Sequence, residues 1–337
     1  MWWIVVAGCA GPDDSSSTGS SPTGVTGDTA APPPPILTAT LGPVATLTTP
    51  TGGTLHSHAT VAWGAGDRYL VALASGTEPD TQALAQLFDA DGAPAADAVR
   101  LNALGSVGDK PDVEWDGARY LVGWTDGPRV ALAAIDADGA VDQPGSVVAQ
   151  AGMRTDAVDL AVQPGGAGAA IWTEYGGAGM GPDDGRIVWR AFDATLAPDG
   201  APKVADESSR KTADAAPLAD GGFVGVWARD YDHPSIDGEL VYEVWGRLYR
   251  GDGTAWTFRA DDLDTAYPSR PAVAVGADGA LAVSWRDKTE AEGAGLGSGA
   301  YVRLFAPDAT PTGPSVALGP DHDGDRVVVG WAGPWAV

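Results

Sequence analysis

The sequence predicts an all-β protein, a β-propeller built from four-stranded antiparallel blades. Three observations carry that expectation. An apolar run closing on a tryptophan returns at near-constant intervals, Asp outnumbers Glu by 37 to 8, and no stretch shows a capped helical period. Asp closes turns through its short side chain, whereas Glu favours helix interiors. With 47 Gly and 26 Pro, the composition is that of short strands joined by many turns.

The repeated run is "RYLVGW" at Trp124, "GAAIW" at Trp172, "GFVGVW" at Trp227, "ALAVSW" at Trp285 and "RVVVGW" at Trp331. "RYLVAL", ending at Leu73, holds the same place in the first unit. The intervals are 51, 48, 55, 58 and 46 residues, within the range of propeller repeats. The second unit shows the plan. "PDVEW" is strand a; a tight "DGA" turn leads into strand b, "RYLVGW"; "PRVALAAI" is strand c; "DADGA" turns the chain, and "GSVVAQ" is strand d. Period two puts Tyr120, Val122 and Trp124 on one face. A blade is too thin to bury both faces alone, so the tryptophans are expected in the layers between blades, as core.

Five complete units begin near residues 56, 109, 156, 213 and 267. A sixth is split, with "DGDRVVVGWAGPWAV" at one end of the chain and "ILTATLGPVATLTTP" at the other. Pairing the two would remove an open sheet edge. The expectation is six blades with a composite last one; five is the alternative, because the composite's strand a is short. "DADGA" at Asp89–Ala93 and Asp136–Ala140 reads as the turn between strands c and d. Two acids are too few for a calcium cage.

The unit "WDGARYLVGWTDG" followed by "IDADGAVDQPG" is similar to a repeat of myxobacterial lipoproteins and secreted proteins, which pairs a Gly-x-x-Tyr-Leu-Val-x-Trp strand with an Asp-x-x-Gly turn. That resemblance covers most of residues 56–337 and implies a propeller, with no shared activity attached. Residues 1–8 read as a lipoprotein-type signal segment. Val6-Ala7-Gly8-Cys9 resembles the lipobox of bacterial lipoproteins, which implies lipidation of Cys9, although no Lys or Arg precedes the apolar run. Residues 9–35 then form a Ser/Thr/Gly/Pro tether with little to bury, like the linkers of myxobacterial lipoproteins. Ala10 after the Cys implies, by the sorting rule of Gram-negative lipoproteins, the outer membrane or cell surface. Residues 36–337 are the propeller.

The net charge of -25 opposes binding to nucleic acid, and it leaves a lipid anchor as the route to a membrane. Cys9 is the sole cysteine, which excludes an intrachain disulfide. A monomer is expected.

In a propeller the d–a and b–c connections surround one mouth of the central channel. Basic residues recur near the d–a connections at Lys110, Arg154, Lys211 and Arg270, with His56 and His58 in the first unit. Acids follow the blade tryptophans at Asp126, Glu174, Asp230 and Asp287, and the long b–c loops are acidic. These rings read either as salt bridges between blades or as a polar site for a glycan or protein ligand. Nucleophile-elbow, P-loop, HExxH and CxxC patterns are absent. "RGDGTAWTF" (Arg250 to Phe258) faintly resembles the Asp box of six-bladed sialidases. Asp321, Asp323 and Asp325 resemble the calcium loop of integrin-type propellers, so calcium is a candidate cofactor, although an a–b hairpin also explains them. The functional expectation is a lipid-anchored, non-enzymatic binding or scaffold module. The alternatives are a sialidase-like propeller glycoside hydrolase and a calcium-stabilised adhesion module.

Overall fold

The computed structural model describes residues 56–76, 81–103, 106–150, 154–176, 185–207, 209–232, 240–262, 268–287, 299–320, 329–332 and 335–336. Cys9, the tether and the Asp321, Asp323 and Asp325 loop lie outside them.

Twenty strands form five four-stranded antiparallel sheets, each a blade of a β-propeller. Blade 1 holds β1 (His56–Trp63), β2 (Arg68–Ser75), β3 (Gln82–Asp89) and β4 (Val99–Arg100). Blade 2 holds β5 (Asp109–Trp115), β6 (Arg119–Asp126), β7 (Arg129–Asp136) and β8 (Val141–Gln150). Blade 3 holds β9 (Arg154–Val162), β10 (Gly168–Tyr175), β11 (Gly185–Phe192) and β12 (Pro198–Asp206). Blade 4 holds β13 (Ser209–Pro217), β14 (Phe223–Asp232), β15 (Leu240–Tyr249) and β16 (Ala255–Arg259). Blade 5 holds β17 (Pro268–Val275), β18 (Leu281–Asp287), β19 (Gly299–Phe305) and β20 (Val316–Pro320). Among the described residues, the strands β21 (Trp331–Ala332) and β22 (Trp335–Ala336) pair with each other. The described four-stranded blades therefore number five, the lower of the two expected counts.

The first strand of each blade is the edge strand of its sheet, and these strands pack side by side: β1 on β5, β5 on β9, β9 on β13, and β13 on β17. They form the inner wall. The repeated tryptophans fill the layers between blades, because a blade buries its faces only against its neighbours. Trp124, Trp172, Trp227 and Trp285 are all nearly inaccessible. Trp124 packs beside Ala83 of blade 1, Trp172 beside Leu132 of blade 2, Trp227 beside Ile171 of blade 3 and Trp285 beside Val226 of blade 4.

The c–d turns share one geometry. In Asp89–Ala93 and Asp136–Ala140 the first N–H donates to the last carbonyl at 2.9 Å, and the fourth residue's N–H donates back to the first carbonyl. Asp193–Ala197, Arg250–Thr254 and Ala306–Thr310 repeat it. The fourth residue has positive φ each time, as Gly92, Gly139, Leu196, Gly253 or Ala309. So "DADGA" is turn chemistry, and the Asp-box-like stretch from Arg250 is the same turn in blade 4.

Candidate functional site: the central channel

Each inner strand opens with an irregularity in its pairing, and four of them place a non-glycine residue there at positive φ. These are His58 (φ 52), Lys110 (φ 46), Ala157 (φ 47) and Arg270 (φ 53). A bulge re-aims a side chain and is tolerated where the surroundings fix it. Here it gathers a charged cluster from several blades at the channel mouth. His58 Nδ1 lies 3.6 Å from Asp109 Oδ1, and Lys110 Nζ pairs with Asp156 Oδ1 of blade 3. The Arg270 charge of blade 5 also acts on His58. Burial lowers the His58 imidazole pKa from 6.5 and outweighs the opposing pull of Asp109.

Below the mouth runs a belt of carboxylates. Asp112 Oδ2 accepts the Leu160 N–H of the next blade at 2.9 Å. Asp159 Oδ1 accepts Ala215 N–H at 3.0 Å, and Asp214 Oδ2 accepts Val273 N–H at 2.7 Å. An edge strand carries N–H groups that its own sheet leaves unpaired, and these carboxylates satisfy them. Thr60 holds the same place in blade 1 and donates to the Pro111 carbonyl at 3.2 Å. In blade 5 the position is Ala272.

Two residues further along each inner strand stand Ala62, Glu114, Ala161, Ala216 and Ala274. At this register position blade 2 alone carries a carboxyl, while Ala62, Ala161 and Ala216 are buried in the cores between blades. Glu114 keeps part of its surface open, as a side chain on an internal channel does, while protein closes around its carboxyl. Burial first, then the nearby Asp112 and Asp214 charges, push its pKa well above 4.5. Asp112 belongs to the same strand, and Asp214 to the blade after next.

The expected site residues divide. Lys110 and Arg270 do reach the mouth, beside Asp109 and Asp156, which were not anticipated. Arg154 is exposed, and the side chain of Lys211 lies outside the description. Asp126 turns to Arg129 of its own hairpin at 3.9 Å. Glu174 is buried, where it takes Arg186 at 2.8 Å and the Trp172 indole N–H at 3.0 Å. Both acids are thus committed within their own blades. Asp287 is buried, its charge acting on Tyr301, and the side chain of Asp230 lies outside the description. The acidic tips of the b–c loops also fall outside it. Among the described residues no group of three or more His, Cys, Asp or Glu is arranged to hold a metal ion. Glu114 was missed because "PDVEW" read as an ordinary strand; aligning the inner strands, where the other blades have Ala, is the signal that finds it.

No protein-family model matches the chain, and no curated protein matches it. Among solved structures, an α-L-arabinofuranosidase, Arb93A from Fusarium graminearum, is similar at 11% identity and a TM-score of 0.49, covering 81% of this chain and 83% of that one. A thermostable family-43 glycoside hydrolase is similar at 12% identity and TM-score 0.43, covering 84% and 100%. The polysaccharide lyase Uly1 is similar at 12% identity and TM-score 0.47; the match covers 74% of this chain but only 58% of the lyase's length. At these identities the likeness is one of fold. These neighbours are glycan-cleaving enzymes, the class of the glycoside hydrolase alternative and not of the binding or scaffold expectation; that is a property of those proteins, and the likeness assigns no activity to this chain.

Proposed function

We propose that this chain is a propeller glycoside hydrolase that works by general acid catalysis in its central channel, with Glu114 as the acid. One observation carries this: the Glu114 carboxyl is enclosed on an inner strand, where burial and the carboxylates of Asp112 and Asp214 push its pKa well above 4.5. Glycosidic cleavage needs two carboxyl groups in unequal environments, one protonated to donate to the leaving oxygen and one ionised. The raised pKa suits Glu114 to the first role. Asp214, on a different blade, is assigned the second, as base or nucleophile. The mouth cluster of His58, Asp109, Lys110 and Asp156 supplies polar groups for sugar hydroxyls. In this reading the domain works at the cell envelope, tethered through a lipidated Cys9.

The test is turnover. The full chain is incubated with arabinan, arabinoxylan and a uronic-acid polysaccharide, and new reducing ends are counted. Wild type should cleave at least one. Glu114→Gln should lose about 10²–10⁴-fold in rate, the usual contribution of a general acid, with its melting temperature kept. Failure to turn over any glycan, or full activity in Glu114→Gln, overturns the proposal. The anchor is checked separately, since Cys9→Ser should release the protein from membranes.

A further inference from the structure

We infer that the outer crevice between blades 3 and 4 is a binding site for an anionic sugar, the uronate residue of an acidic polysaccharide, held by Lys203 and Arg247. The inference rests on the reading of the chain as glycan-cleaving. It begins with an imbalance of charge. The chain carries 45 Asp and Glu against 20 Lys and Arg. Its cations are accordingly taken up by carboxylates: Arg186 by Glu174, Arg229 by Asp206, Arg259 by Asp261 and Arg303 by Asp262. Among the described residues, neither Lys203 nor Arg247 has a carboxylate partner, and each rests on an aromatic ring instead. Lys203 Nζ lies 4.6 Å from the centre of the Trp189 ring, and the Arg247 guanidinium carbon lies 5.2 Å from that of Tyr249. A ring face holds a cation in place without neutralising it.

The two rings bring the cations together. Trp189 of β11 and Tyr249 of β15 meet across the blade boundary with ring centres 4.8 Å apart, and Phe223 packs against both. Lys203 stands on the outermost strand of blade 3, opposite Trp189 in the register of β11 and β12. Arg247 stands between Gly225 and Thr257 in blade 4. Directly paired residues share a face of the sheet. A Cβ on Gly225 would come within 2.9 Å of Ile171 Cδ1, so this face of blade 4 is the one turned to blade 3. Trp189, Phe223 and Tyr249 form the floor of the crevice, and the exposed Lys203 and Thr257 stand at its rim.

Arg247 is half-buried, and its Nε is enclosed with no hydrogen-bond partner. A charged donor left unpaired in such a place is costly, and a carboxylate that accepts from it recovers that cost. A uronate offers a carboxylate with hydroxyls on the same ring, matching two cations and the Thr257 hydroxyl. The net charge of -25 repels a polyanion as a whole, so binding of one has to come from a local cationic site.

The test is titration calorimetry with tri-galacturonic acid on the full chain carrying Glu114→Gln, which keeps the ligand uncut. Adding Lys203→Glu, at an exposed position, or Arg247→Gln should weaken binding about tenfold or more. Arabinotriose, which has no carboxylate, should not compete. Absence of binding by the parent chain, or equal affinity in Lys203→Glu, overturns the inference. So does equal binding of a hexa-aspartate peptide, which would show attraction to charge alone. Binding is read without turnover, so a chain that cleaves no glycan yet binds galacturonate through Lys203 upholds this site and overturns the hydrolase.

Discussion

The carboxylate of Asp112 in blade 2 accepts the backbone N–H of Leu160 in blade 3 at 2.9 Å. The same bond ties Asp159 to Ala215 and Asp214 to Val273. These bonds lock neighbouring inner strands at the channel wall, where no sheet ladder can reach. Asp112→Ala should therefore cost about 1–3 kcal/mol, the range for orphaning a buried polar group. Asp112→Asn retains an acceptor and should cost less. Denaturant midpoints measured on both variants at constant slope check this.

Glu114 gives a pH dependence of definite sign. Its native pKa lies well above 4.5, so between that value and the native one the folded chain holds a proton that the unfolded chain has released. Stability from this group is full below the unfolded pKa and is lost as pH rises through the native one. Glu114→Gln should consequently gain stability relative to wild type at neutral and alkaline pH, and the difference should vanish below pH of about 4. Because Asp112 helps raise Glu114, Asp112→Asn should move the native titration of Glu114 downward. Thermal melts across pH, with side-chain carboxyl NMR for Glu114, report both effects.

Asp261, at the end of strand d in blade 4, should titrate far from its ordinary range. Burial raises its pKa to about 6, against the lowering effects of the Arg259 hydrogen bond and charge. Its Oδ2 accepts the Val244 N–H at 3.0 Å. Removing the guanidinium with Arg259→Ala should raise the Asp261 midpoint further, as NMR titration of the Asp261 carboxyl would show.

Gly139 and Gly253 hold the same place in the c–d turns, both at φ 87. A Cβ on Gly253 would meet open space, whereas one on Gly139 would come within 2.8 Å of Ala96 Cβ in blade 1. Gly253→Ala should cost about 1–2 kcal/mol for the left-handed backbone alone. Gly139→Ala should cost more, since it also forces blades 1 and 2 apart. A pairwise comparison of their melting temperatures separates conformational strain from steric clash.

The blade was legible along the chain. The spacing of Trp124, Trp172, Trp227 and Trp285, the period-two faces beside them and the Asp-Gly turns are local, and each repeats because every blade meets the same packing problem. Unit starts near 56, 109 and 267 match the starts of β1, β5 and β17 closely. The pairing of charges was decided by the tertiary structure. Asp126 and Glu174 looked like channel-mouth acids, but the hairpin register places Arg129 and Arg186 opposite them, within their own blades. Lys110 found its partner in Asp156, 46 residues away in the next blade. Glu114 has nothing unusual in its neighbours along the chain. Its environment is set by burial and by the carboxylates of Asp112 and Asp214, and Asp214 comes from the blade after next, because the fold gathers the inner strands around one axis.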